Sequence, residues 1–172
     1  MNMQNKSKAI RTGLRKGFQN GTSKMARRKC YGYNVSTDGT LVISPCEARV
    51  VRWIFDRYLA GDSLGKIAAG LEKMGTRSPT GRAKWNREAI DKLLSNEKYT
   101  GRVLLQKTIS VGSFQIENDG IIDRYLYDNT HEAIISDELF KAVQKEKQIR
   151  TKNQENKFAM QQSIHRQFKI CC

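Results

Sequence analysis

The first thirty residues carry nine Lys and Arg side chains and no Asp or Glu. A segment of one charge sign repels itself and offers little apolar surface, so the folded core has to come from the residues that follow. We call residues 1–30 the basic arm. Its cations are Lys6, Lys8, Arg11, Arg15, Lys16, Lys24, Arg27, Arg28 and Lys29.

The charge of the basic arm points to a polyanionic partner. The arm supplies nine units of the chain's net charge of +14, and the remaining residues are closer to balance. DNA and RNA are the commonest partners of such a segment, because each phosphate contact also releases a condensed counterion. A solvated, disordered terminus is the alternative, but the pI of about 9.8 accompanies a foldable centre and favours nucleic acid.

Several classes of protein receive little support. No apolar run approaches the roughly 20 residues that a membrane span needs, and the basic N-terminus lacks the apolar stretch of a signal peptide. We therefore expect a cytoplasmic, DNA-associated protein. The four Cys include no C-x-x-C pair, and the two His lie far apart, so we expect no metal, cofactor or small-molecule substrate. A structural role is expected for His131.

Short elements are predicted in the first part of the chain. Ile10, Leu14 and Phe18 recur at a helical spacing, which predicts a helix over 7–18. Residues 24–29 are expected to form a linker too polar to pack. Asp38-Gly39 between β-prone residues predicts a hairpin over 31–43.

Three amphipathic helices are predicted next. The first runs from a capping box of Ser44 and Glu47 to Ala60, and the second begins at the Asp62-Ser63 cap and ends at Gly75. The third opens at Trp85-Asn86 and ends near residue 96. The second and third helices have the outline of a helix-turn-helix, although the loop between them is long; two core helices with an exposed loop are the alternative.

The rest of the chain predicts short strands and one more helix. Strands are expected at 103–105 and 125–127, with a ribbon over 107–117 between them. Ser136 caps a helix that carries Asp137 and Glu138 in its first turn. After Arg150 a polar stretch is either a linker or the start of a surface helix. The predicted fold class is α+β and mainly α-helical, with a helix-turn-helix-like core and small β-hairpin and ribbon elements.

A series of short stretches over residues 31–147 resembles the recombinase domain of the large serine recombinases, the integrases and transposases of phages and mobile elements. No single stretch is decisive, but their order and spacing are. They are Tyr31-Gly32-Tyr33, Leu41-Val42-Ile43, Glu47-Ala48, Val51, Ile54-Phe55, Tyr58, Gly61-Asp62-Ser63, Ile67-Ala68, Leu71, Gly75, Pro79-Thr80-Gly81, Lys84-Trp85, Ile90, Leu93-Leu94, Asn96, Tyr99-Thr100-Gly101, His131-Glu132-Ala133-Ile134-Ile135 and Phe140.

The resemblance implies a division of the chain into three parts. Residues 1–30 resemble the end of the family's linker helix followed by a basic arm, and 31–150 resemble the DNA-binding recombinase domain. Residues 151–172 are expected to be a polar tail leading towards a zinc ribbon that this chain does not contain. The family's nucleophilic serine and arginine cluster belong to a catalytic domain that is also absent, so the chain is expected to be a fragment without catalytic residues or metal.

The implied function is sequence-specific binding of a double-stranded DNA attachment site. The arm would neutralise phosphates, and the loop 77–87 with the helix after it would meet base edges. The chain alone is expected to be monomeric, with oligomers formed through the missing catalytic domain. A free-standing helix-turn-helix transcriptional regulator is the main alternative; a self-contained nuclease and an RNA-binding protein are less favoured. The predicted DNA-binding residues are Arg11, Arg15, Lys16, Lys24, Arg27, Arg28, Lys29, Arg77, Thr80, Arg82, Lys84, Asn86, Arg87 and Lys107.

Overall fold

The computed structural model describes residues 3–169, with side chains described from 9 to 162. The side chains of Lys6 and Lys8, and the residues Cys171 and Cys172, lie outside that part. The chain begins with helix α1, Met3–Gln19, and then a hairpin of strands β1, Tyr33–Val35, and β2, Leu41–Ile43. The hairpin turns at Gly39, whose positive φ of 84° suits glycine.

Three helices follow the hairpin and form most of the core. They are α2, Pro45–Leu59, α3, Leu64–Lys73, and α4, Arg87–Leu94, with segment 74–86 joining the last two. Each turns its predicted apolar stripe inward, because burying that stripe contributes most of the stability of short helices. The buried side chains from the three helices are Ala48, Val51, Ile54, Phe55, Tyr58, Ile67, Ala68, Leu71, Ile90, Leu93 and Leu94.

The second half of the chain adds strands and one long helix. A short 3-10 helix, Glu97–Thr100, leads into β3, Val103–Leu105, which pairs antiparallel with β6, Tyr125–Tyr127. Between them, β4, Thr108–Val111, and β5, Phe114–Glu117, form a separate antiparallel ribbon. Helix α5, Asp137–Lys169, closes the core with the buried Val143.

The predicted fold class, α+β and mainly α-helical, is confirmed. The ribbon and the Ser63 cap are also present, and Ser63 Oγ accepts a hydrogen bond from Lys66 N at 3.2 Å. Of the two alternatives after Arg150, the helix is the one observed, since α5 continues to Lys169.

The predicted capping box at the start of α2 is wrong. Ser44 is the N-cap but makes no side-chain cap bond, and Glu47 Oε2 instead accepts a hydrogen bond from Gly32 N at 2.9 Å. The carboxylate therefore satisfies a backbone donor at the start of the hairpin. A partner fifteen residues earlier in the chain replaces the local one that the pattern suggested.

Candidate DNA interface

The basic arm lies on the domain at two points. At the end of α1, the Tyr127 hydroxyl lies 2.7 Å from the carbonyl oxygens of both Phe18 and Gln19. Further along the arm, the Lys98 ammonium donates to the carbonyls of Met25, Ala26 and Arg28 at 3.2, 3.0 and 3.0 Å. The prediction of an unpacked linker over 24–29 is therefore wrong. The chain there is polar, but its carbonyls are satisfied by a lysine that is distant in sequence.

The cations of the arm have different surroundings. Arg11, Arg15 and Lys16 are exposed on α1, and Lys24 is exposed in the turn. Within the part of the chain that the structure describes, none of these four makes an ion pair. Such cations are available to phosphates, and the number of phosphates they neutralise sets the salt dependence of binding.

Arg27 lies against the turn of the first hairpin. Its Nη1 is 3.5 Å from the Asp38 carbonyl oxygen, and a Cβ added to Gly39 would lie 3.2 Å from its Cδ. Hydrogen bonds from the side chains of Ser36 and Thr40 lower the pKa of the Asp38 carboxyl to about 2. Arg27 is exposed, and its contacts with Asp38 and Gly39 hold its guanidinium against the hairpin turn.

A cavity of about 440 Å³ separates the end of the arm from the β4–β5 ribbon. Arg28 and Lys29 line one side, and Lys107 and the polar ribbon residues Thr108 and Ser110 line another. Lys107 forms an ion pair with Glu97, whose other carboxylate oxygen accepts from Leu104 N at 3.0 Å. Lys107 is therefore a member of the predicted DNA-binding set whose charge is already paired within the protein.

The loop between α3 and α4 is held in a defined conformation by hydrogen bonds among its own residues. Its Ser78 N donates to Arg82 O at 2.9 Å, and Ser78 Oγ accepts from Arg82 N at 3.1 Å. Arg77 Nη1 donates to Gly81 O at 3.0 Å, and Thr80 Oγ1 lies 3.2 Å from Ser78 Oγ. Two of the predicted contact residues, Arg77 and Thr80, therefore also hold the loop in shape.

Trp85 anchors this loop to the core. Its side chain is 5% exposed, and its indole N–H donates to Thr76 O at 2.8 Å. Its ring meets the Tyr31 ring edge-on with centroids 5.4 Å apart. Trp85 is therefore a structural anchor, and its burial leaves no open ring face on which a base could stack.

Two residues predicted to contact DNA, both at the start of α4, have structural roles. Asn86 is the N-cap, and its Oδ1 accepts from Glu88 N at 3.1 Å. The Arg87 guanidinium lies over Gly65 in the first turn of α3, where an added Cβ would be 3.1 Å from Nε. Arg82 and Lys84 remain exposed, and their side chains form no ion pair within the described part of the chain. Their charged groups therefore face solvent.

Tyr31 connects the arm to the loop. Its hydroxyl donates to Arg77 O at 3.4 Å, while its ring contacts Trp85. Burial, and then the Glu47 carboxylate, raise the pKa of Tyr31 to about 12, so it remains a neutral donor. Tyr31, the residue that follows the basic arm, therefore contacts both Trp85 and the start of the loop.

A metal site requires a cluster of ligating side chains, and a membrane span requires a long apolar helix. Among the described residues, no group of three or more His, Cys, Asp or Glu could hold a metal, and Cys30 and Cys46 are unpaired. No helix in the described part of the chain is long and apolar enough to cross a membrane.

His131 is structural as predicted, since its Nε2 donates to Lys98 O at 2.6 Å and its ring packs edge-on against Tyr33.

The sequence model of the family described as Recombinase matches residues 45–150. The chain belongs to the Recombinase family. The match includes α2, α3, the anchored loop, α4 and the start of α5, and it confirms the resemblance predicted from the sequence. No curated protein matches the Recombinase chain at a significant level.

Two solved structures are similar to this Recombinase chain. One is a crystal structure of an LSR–DNA complex, with 27% identity over 69% of this chain and 31% of that chain, and a TM-score of 0.45. The other was solved to study the sequence requirements of the Listeria innocua prophage attP site, with 27% identity over 69% of this chain and 41% of that chain, and a TM-score of 0.44. The Recombinase chain thus spans less than half of the length of either.

Proposed function

We propose that this chain binds duplex DNA at a recombination attachment site, as the recognition part of a site-specific serine recombinase. The observation that carries the proposal is the basic arm, which has no acidic residue and is bonded to the domain through its backbone carbonyls. Because carbonyls rather than side chains make these bonds, the backbone is held between residues 18 and 28 while the side chains of Arg11, Arg15, Lys16 and Lys24 stay exposed.

The arm would contact the DNA backbone, and the loop would contact the bases. Arm cations contact phosphates and enter the minor groove, which supplies affinity with little sequence information. Arg82 and Lys84 project from the anchored loop, and such donors read guanine edges in the major groove. The chain would consist of the arm, 1–30, the DNA-binding domain, 31–150, and the tail, 151–172, and strand exchange would belong to a separate catalytic domain.

The test is a set of binding titrations on attachment-site DNA, unrelated duplex DNA and RNA at several salt concentrations. We expect tightest binding to the attachment site and a steep salt dependence. Deleting residues 1–29 should weaken binding to every duplex and reduce the magnitude of the salt slope by about one for each phosphate that the arm had neutralised. An unchanged slope would remove the arm from the interface, and equal binding of all duplexes would favour a non-specific DNA-binding protein.

A further inference from the structure

We propose that Lys98 is the positioning residue that fixes the basic arm on the domain before DNA is bound. The inference rests on the proposed DNA-binding role of the arm and extends it. Lys98 is not among the residues predicted to touch DNA. Its role would be to determine where the arm's cations lie.

The backbone of Lys98 is held firmly by the core. Its N–H donates to the Asn96 side chain at 3.3 Å in the 3-10 helix. Its carbonyl accepts from His131 Nε2 at 2.6 Å, and the Tyr33 hydroxyl, which donates to Glu132 O at 2.8 Å, lies 3.3 Å away. Because Tyr33 is fully buried, the backbone of Lys98 lies against the hydrophobic core.

The ammonium of Lys98 directs all its donors to the arm. An ammonium has three N–H groups, and three arm carbonyls lie within 3.2 Å of Nζ. These are charge-assisted hydrogen bonds, which are stronger than bonds between neutral groups. The nearest carboxylate in sequence, Glu97, is engaged with Lys107 and does not compete. Burial lowers the pKa of Lys98.

Few other contacts order this part of the arm. Apart from the 3.5 Å approach of Arg27 Nη1 to Asp38 O, residues 20–28 otherwise make short-range backbone bonds, such as Ser23 N to Gly17 O at 3.1 Å and Ala26 N to Ser23 O at 3.0 Å. The Tyr127 anchor lies at the preceding helix end. Without Lys98, the turn that carries Arg27, Arg28 and Lys29 would have to be ordered when DNA binds, at a cost in conformational entropy.

The decisive comparison is Lys98→Met against Lys141→Met, both in the full chain and in the chain lacking residues 1–29. Lys141 is exposed on α5, so its replacement removes one positive charge without touching the arm. We expect Lys98→Met to weaken DNA binding about ten-fold, or about 1.4 kcal/mol, at every salt concentration. Its salt slope should match that of Lys141→Met, because the arm still binds the same phosphates. In the truncated chain the two variants should bind alike, since the partners of Lys98 are gone.

The Cys30 thiol provides a readout independent of DNA. It is half-buried beside the cavity at the end of the arm, and burial raises its pKa while the Lys98 ammonium lowers it. In a chain with Cys46, Cys171 and Cys172 replaced by Ser, Lys98→Met should make maleimide labelling of Cys30 faster. Loss of the ammonium alone would slow labelling, so a faster rate reports release of the arm. Thermal melts of the same proteins check that the domain stays folded, and Lys98→Gln replaces Lys98→Met if it does not.

Failure of the anchor and failure of the proposed function are separable. If deletion of residues 1–29 changes neither affinity nor salt slope, the arm has no role in DNA binding and the proposed function fails. If the deletion weakens binding while Lys98→Met behaves like Lys141→Met in the full chain, the anchor alone is overturned. An unchanged Cys30 labelling rate in a folded Lys98→Met protein would overturn it as well.

Discussion

Replacing Trp85 by Ala tests whether the loop between α3 and α4 is anchored as the structure indicates. The side chain is almost completely buried, so its removal should cost about 3–5 kcal/mol of unfolding free energy, the range for a buried large aromatic residue. This figure includes the indole bond to Thr76 O and the edge-on contact with Tyr31. For a chain of this size each kcal/mol corresponds to about 2–4 °C, so the melting temperature should fall by roughly 6–20 °C.

The assay is thermal unfolding followed by circular dichroism, with Trp85→Phe as the matched control. Phe keeps most of the apolar ring and removes the N–H donor, so it should cost only about 1–3 kcal/mol, mainly from the unsatisfied Thr76 carbonyl. Binding of DNA by Trp85→Ala is then measured at a temperature where it remains folded. A melting temperature within about 2 °C of the parent chain, combined with an absence of binding, would mean that Trp85 contacts DNA instead of anchoring the loop.

Three further predictions concern the loop, the core and the chain as a whole. Arg82→Ala and Lys84→Ala should leave the melting temperature unchanged and weaken DNA binding; a guanine contact should cost about 1–3 kcal/mol at one base pair, whereas a phosphate contact should weaken all sites equally. Burial lowers the pKa of His131 from 6.5, so the stability that neutral His131 contributes is complete above pH 6.5 and is lost as the pH falls through the folded-state pKa. Melts from about pH 7.5 to about pH 5 should therefore show a steeper decline for the parent chain than for His131→Gln. The purified chain should be monomeric by sedimentation equilibrium at micromolar concentration and should neither nick nor relax a supercoiled plasmid carrying a cognate site.

The elements that the sequence predicts well are those determined by local pattern. The stripes Ile67, Leu71 and Ile90, Leu94 recur with the helical period, and all four side chains are buried. Ser63 caps its helix because both the hydroxyl and the N–H that it accepts from belong to one turn. Period and capping are properties of neighbouring residues, so they can be recognised without knowledge of the tertiary fold.

The sequence predicts poorly whatever depends on a distant partner. Glu47 has the spacing of a capping box, yet its carboxylate bonds to Gly32 N because the hairpin passes over the start of α2. Residues 24–29 look like a free linker, and only the fold brings Lys98 to their carbonyls. Nothing in the stretch Asn96-Glu97-Lys98-Tyr99 distinguishes this lysine from an ordinary surface cation.

A count of basic residues overestimates the charge that the protein can offer to DNA. Several cations serve the protein's own carbonyls: Arg150 donates to the carbonyls of Asp62 and Tyr58 at 2.8 Å and lies over the Tyr58 ring, and Lys147 donates to Asp91 O at 3.3 Å. Both cap the ends of helices in the core, where a positive charge is favourable. Paired or capping cations add little to counterion release, whereas the arm cations on α1 have no acidic neighbour in residues 1–30. The salt dependence of binding should therefore follow the arm far more closely than the total charge of the chain.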